Sequence, residues 1–253
     1  MLPQYFQTLQ LQGLDLSDKH TPSPVAHDNS SVNQKFNPAF ALGVSSAAEV
    51  LRNLQCSFQD LKTLMTITER PALDVGCSYS TFACEAYLRG LPVFATDLRC
   101  NQNRSSFLKQ VENRLDGLKL RGELPESQIS IPEAVHAFDQ QLSECRAEKI
   151  IHAGGTRAQD QQYSVVISHN ASPLYSSPEI FFEKELPELL RVAKHSVRLF
   201  PFESYDKNLT NTIQLSYAHT NTVARKHGFS FATTPASENS KSVCAVFTRL
   251  HGR

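Results

Sequence analysis

From Ser45 to about Thr66, apolar residues recur at three- and four-residue spacing: Val50, Leu51, Leu54, Phe58, Leu61 and Leu64. This is the stripe of an amphipathic helix. It predicts one or two helices, with Ser45 or Ser46 placed to cap the first. The rhythm then changes. Ala72-Leu73-Asp74-Val75 is a short apolar run ending in Gly76, and it reads as a buried strand. A helix follows from Thr81 to Leu88, stopped by Gly90, and Pro92 to Thr96 reads as a second strand closed by Asp97. A second helix spans Ser105 to Leu118, carrying Phe107, Leu108, Val111 and Leu115. Strand, helix, strand, helix at this spacing predicts right-handed parallel crossovers.

The remainder continues the alternation. Pro132 to Cys145 reads as a helix and Lys149 to His152 as a short third strand before Gly154-Gly155. Tyr163 to Ser168 reads as a fourth strand and Pro178 to Lys194 as an amphipathic helix. Ser196 to Phe200 reads as a fifth strand stopped by Pro201, and Thr212 to His227 as a helix. Phe229 to Thr233 and Val243 to Thr248 form a closing pair of strands. Residues 1–43 differ from all this. They are rich in Gln, Asn, Ser, Asp and Pro and read as a polar arm, with Phe36, Pro38, Phe40 and Leu42 able to pin its end to a core.

Composition narrows the class. The 253 residues suffice for one large α/β domain with an appendage, or for two small domains. Lys+Arg and Asp+Glu each total 25, so no wholesale positive field points to nucleic acid. The six cysteines form no Cys-x-x-Cys pair and no zinc-finger spacing with histidine, which suits reduced thiols in a cytoplasmic protein. No basic, apolar leader opens the chain, and no apolar run approaches the ~20 residues of a membrane span.

The chemistry concentrates at Leu73-Asp74-Val75-Gly76-Cys77-Ser78-Tyr79-Ser80. A strand ends there, the chain turns tightly, and a helix begins, which opens a crevice for a ligand. Gly76 removes a side chain, so a ligand can lie against backbone. Asp97, 21 residues further on at the tip of the next strand, is positioned to accept hydrogen bonds from ribose hydroxyls. A dinucleotide site wants Gly-x-Gly-x-x-Gly, but Ser78 and Thr81 occupy the second and third positions. No Tyr-x-x-x-Lys follows the fourth strand, which disfavours a nicotinamide-dependent reductase. S-Adenosylmethionine (SAM) carries no phosphate. It is cationic, and Asp74 supplies an acid beside the turn.

This segment resembles the first motif of class I SAM-dependent methyltransferases, Asp-x-Gly-x-Gly-x-Gly, standing here as Asp74-Val75-Gly76-Cys77-Ser78-Tyr79-Ser80 with two glycines replaced by serine. A second stretch, Glu188 to Lys194 followed by Ser196 to Pro201, is similar to a helix-and-strand signature of a group of bacterial members. The resemblance implies a Rossmann-like, mostly parallel seven-stranded sheet whose last strand is antiparallel, with helices on both faces. Beyond the polar arm over 1–43, it implies a SAM-binding methyltransferase domain over 70–253, with the helices of 44–69 as a cap that helps select the acceptor. The cofactor-binding residues it implies are Asp74, Gly76, Cys77, Ser78 and Asp97, with Gly76 along the methionine part, Asp97 on the ribose and Asp74 near the amino group.

In such a fold the tip of the fourth strand orients the methyl acceptor. Here it reads Ser168-His169-Asn170-Ala171-Ser172-Pro173-Leu174-Tyr175. The spacing of Asn170, Pro173 and Tyr175 does not match the Asn-Pro-Pro-Tyr of amino-group methyltransferases. His169 and Asn170 are the catalytic candidates, His169 either as a general base or as an ordinary loop histidine. Methyl transfer depends mainly on in-line positioning, so it does not require a strong base. Gly154 to Arg157 is placed for an adenine-facing loop or a plain connection. No metal is expected, and the acceptor is a small or otherwise unidentified molecule. The competing reading, motivated by Ser78 and Ser80, is a catalytically inactive Rossmann-like binding module.

Overall fold

The computed structural model describes residues 45–77, 80–97, 104–144, 158–172, 178–204, 217–235 and 242–250. The first helices are α1 (Ala47–Asn53), capped by the Ser46 side chain on the Glu49 N–H, and α2 (Phe58–Thr68), opened by a Ser57–Asp60 capping box. They are followed by β1 (Ala72–Val75), α3 (Phe82–Leu88), β2 (Val93–Thr96), α4 (Arg104–Leu120), α5 (Ile131–Glu144) and β3 (Tyr163–His169). A composite helix α6 covers 178–192. Then come β4 (Ala193–Ser204), α7 (Tyr217–Lys226), β5 (Phe229–Pro235) and β6 (Ser242–Arg249).

Among the described residues the sheet has six strands in the order β2-β1-β3-β4-β6-β5. The pairs β2–β1, β1–β3 and β3–β4 are parallel, while β6 runs antiparallel to both β4 and β5. The sheet is therefore mixed, and the last strand of the chain is the reversed one. The expected strand at Lys149–His152 lies outside the described residues, as do the arm over 1–43 and the 212–216 portion of the helix expected before β5.

Register explains the layers. Phe94, Leu73, Val166, Val197, Phe247 and Phe231 stand opposite one another across all six strands. This row packs with Phe181, Leu186, Leu189 and Leu190 of α6 and Ala224 of α7 in one core. Burying each large side chain contributes about 1.5–3 kcal/mol. The adjacent row, Ala95, Asp74, Ile167, Arg198 and Val246, points to the other face because side chains alternate along a strand. There Arg198 donates to the carbonyls of Leu54 and Gln55 at 2.8 and 2.6 Å, tying the end of α1 to the sheet. The helices of 44–69 belong to the same compact unit, Val44–Arg253, as the sheet.

Two elements depart from the periodicity reading. The helix expected to run unbroken from Pro178 to Lys194 ends at Val192 and widens into a π turn over Phe181–Glu185, with the Leu186 N–H donating to the Phe181 carbonyl. Pro187 is the physical cause. It has no N–H, and its ring crowds the carbonyl four residues back, so the helix opens by one residue to pass it. The strand expected to stop at Pro201 instead begins at Ala193 and continues to Ser204. Its pairing with β6 shifts register between Leu199 and Glu203, and that irregularity accommodates a residue with no N–H to give.

Candidate functional site

The strand order creates a switch point. From β1 the chain crosses to β2 on one side, while β3 lies on the other. In open parallel sheets this arrangement leaves a crevice at the carboxyl ends of the strands. Asp74 lies in β1, Asp97 follows β2, and His169 ends β3, so all three stand toward that one end of the sheet.

Asp74 is 2% exposed. Burial first, and the negative charge of Asp97 second, push its carboxyl up to about 8, and no cation among the described residues offsets the shift. The two carboxylates expected on the cofactor side are therefore electrostatic neighbours. Gly76 turns the chain at φ +72°, a left-handed conformation that suits glycine. Its N–H and that of Cys77 both donate to the Thr96 carbonyl, at 2.7 and 3.1 Å, tying the ends of β1 and β2 together. The space left by its missing side chain is filled by the Ala171 methyl group from the segment after β3. Ala171, rather than open crevice, thus accounts for that glycine's lack of a Cβ.

Cys77 is buried, and Ser78 lies outside the described residues. Ser80, one residue before the Thr81 N-cap of α3, accepts the Phe82 N–H at 3.1 Å, a polar contact that glycine could not make. Burial pushes the Cys84 and Cys244 thiols up, the latter to about 12, which keeps them protonated. Among the described residues no group of three His, Cys, Asp or Glu is arranged to hold a metal.

At the tip of β3, His169 stacks on Phe200 with ring centroids 5.4 Å apart and planes 15° off parallel. Burial lowers its pKa to about 4. Asn170 adopts φ 57° and donates its backbone N–H to the Phe200 carbonyl at 2.6 Å, so its backbone turns the chain out of the sheet while the residue stays exposed. The Ser168 hydroxyl then accepts the Ser172 N–H at 3.0 Å, and the Ser172 hydroxyl donates to Glu185 at 2.8 Å. Glu185 is fully buried and sits in the π turn. Pro173, Tyr175 and 154–157 lie outside the described residues.

Sequence reasoning missed Glu185, Glu85 and Asn53. Glu85 is buried and accepts the Thr81 hydroxyl at 2.7 Å and the Ala47 N–H at 2.9 Å. Asn53 places its amide nitrogen 3.0 Å from Nε2 of His169. All three carried a signal of one kind, a polar residue on an apolar stripe. Glu185 falls four after Phe181 and four before Leu189, and Asn53 falls three after Val50.

The fold and site define an α/β protein with a mixed sheet and two acidic residues, Asp74 and Asp97, at its switch point. No family model matches the chain, and no curated protein matches it. Its structure is similar to those of SAM-dependent methyltransferases. One is the magnesium protoporphyrin IX methyltransferase of Synechocystis PCC 6803, crystallised with SAM, at 13% identity over 80% of this chain and 83% of that one, TM-score 0.42. Another is the 1,6-didemethyltoxoflavin-N1-methyltransferase of Burkholderia thailandensis, at 12% identity over 75% and 76%, TM-score 0.42. A third is a SAM-dependent methyltransferase from Aquifex aeolicus, at 16% identity over 84% and 97%, TM-score 0.39. No helix among the described residues is long and apolar enough to cross a membrane.

Proposed function

We propose that the chain is a cytoplasmic SAM-dependent methyltransferase acting on a small-molecule acceptor. One observation carries this reading. Asp74 is buried in β1 with the half-buried Asp97 carboxylate as its charged neighbour, and no cation beside Asp74 among the described residues balances the two. Such a pair is costly unless a positive ligand completes it. SAM has a sulfonium, an ammonium group and a ribose diol, whose charges and donors suit those acceptors. In this reading Asp97 accepts the ribose hydroxyls, Asp74 faces the ammonium group, and Gly76, Cys77 and Ser78 form the turn beneath the methionine part. When bound, the cofactor supplies an activated methyl group. The chain's own part is to position the acceptor and exclude water, with His169 and Asn170 at the acceptor side.

A second reading, a catalytically silent binding module, is favoured by one specific feature. The space freed by Gly76 is taken by Ala171. Calorimetry and thermal shift with SAM and with S-adenosylhomocysteine separate the two. The methyltransferase reading expects binding of both, weakened by about 1–3 kcal/mol in Asp97→Ala, where ribose hydroxyls lose their acceptor. Absence of heat and of stabilisation with either ligand favours the silent module.

A further inference from the structure

Asn53, the last residue of α1, and His169, the last residue of β3, are 116 positions apart in the chain and joined by one hydrogen bond of 3.0 Å between Nδ2 and Nε2. An amide nitrogen only donates, so Nε2 contributes its lone pair and the imidazole proton resides on Nδ1. Two further contacts fix the ring. Phe200, directly opposite His169 in the register, stacks on it, and burial keeps it uncharged at neutral pH, with no charged neighbour contributing to that shift. Among the described residues nothing is hydrogen-bonded to Nδ1.

We propose that Asn53 is a positioning residue that locks His169 as a neutral Nδ1–H donor, so that the site takes an oxygen methyl acceptor which presents one lone pair to that N–H, keeps another for the methyl, and needs no deprotonation by this histidine. The inference rests on the methyltransferase reading of the crevice. It replaces the general-base role considered for His169, because the ring's single lone pair is already engaged by the amide. It also gives the helices before β1 a part in acceptor choice, since the group that sets the tautomer comes from α1. The acceptors selected arrive already deprotonated and with more than one lone pair on oxygen, such as a carboxylate or a phenolate.

The test is long-range ¹H–¹⁵N NMR of the histidine ring nitrogens in the full-length protein at pH 7, on the wild type, Asn53→Ala and Asn53→Asp. The expected wild-type spectrum has a protonated Nδ1 and an unprotonated Nε2. Asn53→Ala releases the tautomer into a mixture. Asn53→Asp moves the proton to Nε2 and raises the ring's titration midpoint by about one to three units, because a carboxylate now faces it. A residue that merely helped packing would leave the tautomer unchanged in Asn53→Ala, and that result overturns the proposal. So does a wild-type ring protonated at Nε2, a measurement that needs no variant to fold. SAM calorimetry on the same samples distinguishes the two failures. An Nε2-protonated ring in a SAM-binding protein removes this inference alone, whereas a wild type that binds no SAM removes the methyltransferase reading beneath it.

Discussion

A β-carbon on Gly76 would fall well inside contact distance of the β-carbon of Ala171. The turn after β1 and the segment after β3 therefore fit each other by shape. Gly76→Ala incurs two penalties: the left-handed strain of a non-glycine residue, about 1 kcal/mol, and overpacking of about 1–3 kcal/mol. Urea unfolding is expected to show a loss of about 2–4 kcal/mol. Ala171→Gly in the same chain should recover the packing share and leave the strain. A double-mutant cycle without coupling would mean that the two segments separate easily.

Asp74 makes stability fall as pH rises. Its carboxyl titrates near the ordinary 3.8 when unfolded and at about 8 when folded. Below pH ~4 it is protonated in both states and costs nothing. Between ~4 and ~8 the unfolded chain gives up a proton that the folded chain keeps, so the cost grows and levels off above ~8. Asp74→Asn removes this slope. Its advantage over the wild type should be near zero at pH 4 and on the order of a few kcal/mol at pH 8. Equilibrium unfolding across that range checks it, and parallel curves for the two proteins would show that Asp74 is not held protonated.

On the proposed methyltransferase reading, the same carboxylate links pH to SAM binding. A cation beside Asp74 draws its pKa back down, so SAM binding at pH 7 should release about one proton. Calorimetry in buffers of different ionisation enthalpy measures that release. Binding with no proton change would place the positive groups of SAM away from Asp74.

Much of the architecture was legible because it is local. Four-residue apolar runs at Ala72–Val75 and Val93–Thr96, each closed by a turn, signal buried parallel strands, and α1 and α2 follow from three- and four-residue spacing. The errors fell where one residue's covalent chemistry met a tertiary alternative. Pro187, passed over in a helix read straight through from Pro178 to Lys194, is accommodated by a π turn, and Pro201 is absorbed at a register shift rather than ending β4. Periodicity carries no term for either.

The site was legible only along the chain. Gly76 and Asp97 stand at strand ends that any reader of the pattern would mark. That Ala171 fills the space above Gly76, that Asn53 reaches His169 and that Ser172 reaches Glu185 are contacts between segments remote in sequence or across a turn. Nothing in the local sequence specifies the partner. Ser80 shows a subtler case, since a serine that reads as a departure from the glycine motif accepts the first N–H of α3 in the fold.

His169 opposes Asp74 in part of the pH range. Its ring titrates near 6.5 when unfolded and at about 4 when folded. Above ~6.5 it is neutral in both states and its contribution is complete. As pH falls from ~6.5 toward ~4 the unfolded chain takes up a proton that the folded chain refuses, a loss on the order of 3 kcal/mol. From pH 4 to 6.5 the two slopes cancel, and above 6.5 only that of Asp74 remains. Asp74→Asn should therefore become more stable as pH rises over 4–6.5, and His169→Gln less stable over the same interval. A His169→Gln curve that stays flat there would show that Asp74 titrates normally, and a flat Asp74→Asn curve would show the same of His169.

Glu85 is a structural counterpart, and its prediction concerns stability alone. Its Oε1 accepts both the Thr81 hydroxyl and the Ala47 N–H, while Arg89, 3.8 Å from Oε2, lies over the Phe58 ring, which in turn stacks on Phe82. One carboxylate thus joins the start of α1 to α3, with Arg89 extending the link to α2. Glu85→Ala leaves a buried N–H and a buried hydroxyl without their acceptor and should cost about 3 kcal/mol in urea unfolding. Glu85→Gln keeps an acceptor oxygen and should cost about 1 kcal/mol. The ordering follows from hydrogen-bond satisfaction. If the glutamine variant were as unstable as the alanine one, the charge itself, through Arg89, would be the main contribution. Thr81→Val in the Glu85→Gln background then decides between the two, because it removes the hydroxyl bond and leaves the charge question untouched.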